Sequence, residues 1–131
     1  MIPLVELRLI AKARFKDAMA LLKAERHDGC VYICGYAVEI ALKARICRHL
    51  KWQGYPQSSK EFQNYQSFKT HNFDTLLSLC GVESLIKNKY LAEWSVAAAW
   101  EPEMRYRGAG SVSRQDAELM VEAVRTLLGK L

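Results

Sequence analysis

Residues Gly29 to His49 read GCVYICGYAVEIALKARICRH. This stretch is apolar on almost every face of a helical wheel, through Val31, Ile33, Cys34, Ala37, Val38, Ile40, Leu42, Ala44 and Ile46, yet it carries Glu39 and Lys43 in its middle. A helix that is hydrophobic nearly all round belongs inside a bundle, covered by other helices. The stretch therefore predicts a central helix over residues 29–50 and an all-α fold. Glu39 precedes Lys43 by four positions, the favourable order for an ion pair on one helix face. The pair is either structural or the floor of a site. Gly35, inside the same helix, costs up to about 1 kcal/mol relative to Ala, which predicts a helix-crossing point there.

Working outward, Leu4, Leu7, Ala11, Phe15, Ala18 and Leu22 recur at steps of three and four, which predicts an amphipathic first helix from Pro3 to Arg26. A break of only His27, Asp28 and Gly29 makes the first two helices an antiparallel hairpin, with Asp28 as the expected N-cap of the second. From Trp52 to Thr70 the periodicity disappears. That length is unusual for a connection inside a small domain and marks a mobile or functional segment. Tyr55, Phe62, Tyr65 and Phe68 there interleave with Lys60 and Lys69, a composition suited to base stacking, while the three-residue spacing of Phe62, Tyr65 and Phe68 equally fits aromatics that pin the connector to the core.

Three further helices are expected: one after Asn72 as cap, one from Ser84 to Trp100 stopped by Pro102, and one from Ser113, where SRQD forms a capping box. No segment alternates as a strand. Trp94 and Trp100 read as core or dimer anchors.

At 131 residues, half of them apolar and a quarter charged, the chain (1–131) is expected to form one globular domain. No apolar run approaches the roughly 18–20 residues needed to span a bilayer, so a cytoplasmic protein without a membrane partner is expected. Cys30, Cys34, Cys47 and Cys80 lack CxxC spacing and read as reduced core residues. The sharper alternative is a metal face from His27, Cys30 and Cys34, which still lacks a fourth ligand. No cofactor or metal is assigned.

The net charge of +5 has a location. Residues 1–51 hold ten Lys or Arg against five acids, whereas residues 52–131 hold nine of each sign. Lys43, Arg45, Arg48 and Lys51 crowd the end of the central helix, where cations either complement the helix dipole or form a patch for phosphates.

The order of GYAVEIALKA on the second helix, the polar connector, THNFDTLL, a helix ending in Trp100, the turn EPEMRY and a closing helix resembles a HEPN domain over about residues 5–129. Gly35, Tyr36, Glu39, Leu42, Lys43, His71, Arg105 and Tyr106 carry the resemblance. It implies a bundle of four to five helices, commonly a twofold homodimer, and either a metal-independent RNase or a non-catalytic relative. The RNases of this family are often toxins paired with a nucleotidyltransferase or antitoxin partner, or belong to defence systems.

Active members carry an Arg, four to six residues, then a His. This chain departs from that motif. No His follows Arg105 or Arg107, and only three residues separate Arg45 from His49. RNA cleavage needs two proton transfers and a cation on the developing phosphorane. The residues available for those roles are His71, His49, Arg45 and Arg105.

The expectation is a non-catalytic HEPN-like module that binds RNA, a nucleotide or another phosphate-bearing ligand through Glu39, Lys43, Arg45, Arg48, Arg105, Tyr106 and Arg107. The alternatives are a metal-independent RNase with a degenerate motif, or a helical dimer that scaffolds another protein.

Overall fold

The computed structural model describes residues 1–131. The chain is all-α apart from one two-residue strand pair, in the order β1 (Ile2–Pro3), α1 (Leu4–Lys23), α2 (His27–Leu50), β2 (Gly54–Tyr55), a 3₁₀ turn (Gln66–Phe68), α3 (Phe73–Leu79), α4 (Glu83–Lys89), α5 (Leu91–Ala98), a second 3₁₀ turn (Pro102–Tyr106) and α6 (Arg114–Leu128). No helix is long and apolar enough to cross a membrane.

The central position of α2 follows from its composition. Twelve of its residues are buried, against four of α1. It packs against α1, α3 and α6, which cover the apolar greater part of its circumference. α1 buries Leu7, Ala11, Phe15 and Ala18 as a single stripe, and α6 buries Ala117, Met120, Val121, Val124 and Leu127 likewise. The hairpin between α1 and α2 turns through Glu25 at φ 60°, with Arg26 N–H donating to the Leu21 carbonyl at 2.8 Å and Glu25 N–H to Leu22 at 3.0 Å. This closes the helix in the manner usually reserved for a left-handed Gly.

Several boundaries differ from expectation. α1 starts at Leu4 because Ile2 and Pro3 are extended, pairing antiparallel with Tyr55 and Gly54. Two residues are too few to leave an alternation in the sequence. α2 begins at His27 with no side-chain cap, because the carboxylate of Asp28 is used elsewhere, accepting from the backbone N–H groups of Gly110 at 2.6 Å and Val112 at 3.0 Å.

The helix expected over 84–100 is two helices, so there are six rather than four or five. The chain turns at Tyr90, φ −129°, where Asn88 and Tyr90 are weak helix formers. The turn lets α4 pack on α3 while α5 runs against α6. The caps expected for the remaining helices are in place. Asn72 Oδ1 accepts from Thr75 N–H at 2.9 Å, and Ser113 Oγ accepts from Asp116 N–H at 3.1 Å.

The connector over 52–70 is pinned by its aromatics. Tyr55 and Phe62 are buried, the Trp52 ring lies 4.9 Å from Phe68 and 5.2 Å from Tyr65, and Tyr55 Oη donates to the Phe68 carbonyl. Rings buried in this way are not available to stack on bases, which removes Tyr55 and Phe62 from that role.

Gly35 is not a helix-crossing point. The indole of Trp100 lies on it, in the space a Cβ would occupy. Trp100 and Trp94 are both core residues of this one chain. All four cysteines are buried as free thiols. Cys34 is held protonated, its pKa raised first by the hydrogen bond with Cys30 and then by burial. No three His, Cys, Asp or Glu side chains stand close enough together to hold a metal ion, so His27, Cys30 and Cys34 do not form a metal face.

Candidate functional site

Tyr32, Tyr36, Glu39 and Lys43 follow one another at steps of four, three and four along α2, and so share one face. On that face Glu39 is the one buried charged residue of the chain, 4% exposed. Both of its oxygens are engaged. Lys43 Nζ donates to Oε2 at 3.2 Å, and His71 Nδ1 lies 2.7 Å from Oε1.

His71 sits just before α3, where Thr70 Oγ1 accepts from Asn72 N–H at 3.0 Å and the Asn72 cap fixes the helix start. Its ring is held at one nitrogen by Glu39 while 61% of the side chain remains exposed, which leaves the Nε2 edge toward solvent. Lys43 is confined between Glu39 and the ring of Tyr55, whose centroid is 5.3 Å from Nζ. The pinned connector therefore forms one wall of the site.

Toward the start of α2 the face continues through the two tyrosines. Tyr36 packs edge-on against Trp100 with centroids 4.9 Å apart, and the Tyr32 and Tyr36 hydroxyls are 3.4 Å apart. The Tyr36 phenol is pushed up to about 12, first by its hydrogen bond with Tyr32, then by burial and the charge of Glu39, with Arg105 acting the other way. Tyr36 thus lies within electrostatic reach of both Glu39 and Arg105. Arg105 comes from the Pro102–Tyr106 turn, lies over the Tyr106 ring at 4.7 Å, and makes no ion pair with any carboxylate.

The fold brings Glu39, Lys43 and His71 into contact and sets Arg105 and Tyr106 at the far end of the same face. Arg45 and His49 are elsewhere. Two residues on from Lys43, Arg45 is carried to the other side of α2. It lies close enough to Cys80 to act on its thiol, with its Nε buried and unpartnered, and His49 packs against Gly81. Arg48 is exposed without an ion pair, and Arg107 reaches Glu101 at 3.4 Å. Sequence reasoning passed over Tyr32, although a stripe of Tyr, Tyr, Glu and Lys at four, three and four in an otherwise apolar helix is a readable signal.

Chemically, the arrangement is asymmetric. The negative charge is inside, enclosed by its two donors, and the outward groups are cations or proton carriers. A carboxylate on Nδ1 orients the His71 ring with its second nitrogen toward solvent, the orientation used in carboxylate–histidine pairs.

Next to this face, the loop from Arg107 to Val112 is tied to α2 by the two bonds to Asp28. Those bonds, that of Gly110 first, hold the Asp28 carboxyl below its ordinary 3.8. A depressed carboxylate contributes stability that is complete above the unfolded pKa and is lost as pH falls through the folded one. Acidification below about pH 3.8 is therefore expected to release the loop, read as a fall in the amide protection factors of Gly110 and Val112 relative to unstructured amides at the same pH. Protection at those two amides that persists unchanged to pH 2 would contradict this.

Comparison of the chain with protein-family models, with curated proteins and with solved structures found no match in any of the three.

Proposed function

We propose that this chain is a HEPN-like module that binds phosphate groups of RNA along the Arg105–Tyr36–Lys43–His71 face of α2. The observation that carries the reading is the enclosure of Glu39: with its carboxylate buried and paired with Lys43, the open edge of the site presents His71 and Arg105, with Lys43 largely covered behind them. The surplus of basic residues in the first 51 positions and the order of residues shared with HEPN domains support it. The expected result is retention of short single-stranded RNA that weakens steeply between 50 and 200 mM salt. Arg105→Ala and His71→Ala should each weaken it about tenfold at low salt. Binding indifferent to salt, or unaffected by both substitutions, would sink the proposal.

One observation favours a second reading, a metal-independent RNase. His71 is held by Glu39 with its other nitrogen exposed, as a general base would be, and Arg105 is a cation available to developing charge. End-labelled RNA incubated with chelator separates the two. Cleavage that His71→Ala abolishes supports the enzyme, and intact retained RNA the binding module. Because the HEPN likeness carries an expected homodimer, sedimentation of the free protein belongs beside these assays.

A further inference from the structure

Beyond the polar face lies a cavity of about 660 Å³, enclosed by the start of α2, the end of α5, the Pro102–Tyr106 turn, the Arg107–Val112 loop and α6. Water occupies about 30 Å³ in the liquid, and small-molecule sites run from about 300 to 1,000 Å³. The space is therefore of ligand size rather than a packing fault. Its floor is apolar, from Val31, Trp100 and Met120, which are buried, with Val96 and Met104 beside them.

The wall opposite is a built feature. Asp28 holds the loop through Gly110 N–H and Val112 N–H, and Gly110 adopts φ +81°, so the loop stands as an ordered flap instead of collapsing onto the floor. Both methionines have flexible, polarizable side chains that conform to varied apolar shapes.

The charges at the mouth are unevenly arranged. Arg105 and Arg107 flank Tyr106 and both line the cavity, while Tyr106 itself is 78% exposed. Arg105 has no carboxylate partner, and Arg107 has only the exposed, 3.4 Å contact with Glu101. Of the acids that line the cavity, Asp28 spends both oxygens on the loop, and Asp116 stands on the first turn of α6. An apolar floor with two guanidinium groups at one edge is complementary to an apolar body bearing one anionic group.

We propose that this cavity binds a small amphipathic organic anion, with its apolar body on the Val31–Trp100–Met120 floor and its carboxylate between Arg105 and Arg107. This site is separate from the Lys43–His71 end of the polar face, and the proposal does not rest on RNA binding.

Trp100 supplies the readout. Its indole N–H donates to the Tyr32 carbonyl at 3.1 Å at the cavity wall, whereas the Trp94 indole is bonded to Asp74 and does not line the cavity. In ¹⁵N spectra of the full chain, decanoate is expected to shift the Trp100 indole resonance saturably and to leave those of Trp52 and Trp94, which do not line the cavity, in place. Affinity should fall about fourfold for each methylene removed from the chain. Decanol should bind about tenfold more weakly than decanoate.

Arg107→Ala should narrow the difference between acid and alcohol several-fold, with Arg105 still in place. Ala99→Trp, a substitution at an exposed position that lines the cavity, should abolish binding of both while the fold persists. The proposal is overturned if decanoate leaves Trp100 unmoved or shifts all three indoles without saturation, and equally if decanol matches decanoate in the unsubstituted protein. RNA retention by the Ala99→Trp variant, measured alongside, keeps failure of this site distinguishable from failure of the RNA reading.

Discussion

Gly35→Ala is expected to destabilise the protein by about 2–4 kcal/mol, although Ala is the better helix former by about 1 kcal/mol. The reason lies in Trp100, whose indole occupies the space a Cβ at position 35 would need. Moving the ring would break the contacts that seat it, even though one side of it borders the cavity. It stacks on Phe73 with centroids 5.2 Å apart and planes 18° from parallel, meets the Tyr36 ring at 4.9 Å, and donates its N–H to the Tyr32 carbonyl at 3.1 Å.

Displacing a buried Trp forfeits most of the 3–5 kcal/mol that truncating one costs, against which the helix-propensity gain is small. The two residues should also be coupled. In the background of Trp100→Leu, Gly35→Ala should cost at least about 1 kcal/mol less than alone. Urea denaturation of the two single variants and the double one checks both statements. A Gly35→Ala protein more stable than its parent would mean that Trp100 is seated elsewhere.

The second large effect is expected at Lys43. Replacement by Met keeps most of the aliphatic stem but removes the ammonium group that pairs with Glu39 and lies over the Tyr55 ring. A buried carboxylate left with an incomplete partner set costs about 3 kcal/mol, and Glu39 is the chain's one buried charged residue. The companion substitution Glu39→Gln, made together with Lys43→Met, should restore much of that loss, because no charge is then buried. His71→Ala, by contrast, removes a largely exposed side chain and should change stability by no more than about 1 kcal/mol. Denaturation midpoints near pH 7 test the series. A Lys43→Met variant as stable as the parent would show that water reaches Glu39 and that the pair is not structural.

These two positions also mark how far the residues could be read without the fold. That Glu39 and Lys43 face each other follows from helical spacing, and so did their place in a helix with no polar side of its own. That His71, 32 residues further on, closes the other oxygen of Glu39 depends on how the pinned connector delivers α3, which no local periodicity encodes. Arg45 and His49 illustrate the opposite case. Their near match to an Arg-to-His spacing motif made them site candidates, but the 100° advance per residue of a helix carries Arg45 to the far side, against Cys80.

Gly35 was legible as a close approach because a mid-helix Gly needs a reason. What approaches is a side chain from 65 positions away rather than a helix backbone.

Local pattern, then, was sufficient to determine an all-α chain, the central place of α2, the stripes of α1 and α6, the caps at Asn72 and Ser113, and the Glu39–Lys43 pair. Each rests on interactions within about four residues or on the burial of one face, and those are written in spacing. The tertiary structure alone decided the recruitment of Asp28 to the Gly110–Val112 loop, the break at Tyr90, the seating of Trp100 on Gly35, the meeting of His71 with Glu39, and the cavity beneath Arg105 and Arg107. Those depend on contacts between segments far apart in the chain, where packing selects one partner among many that local chemistry permits equally.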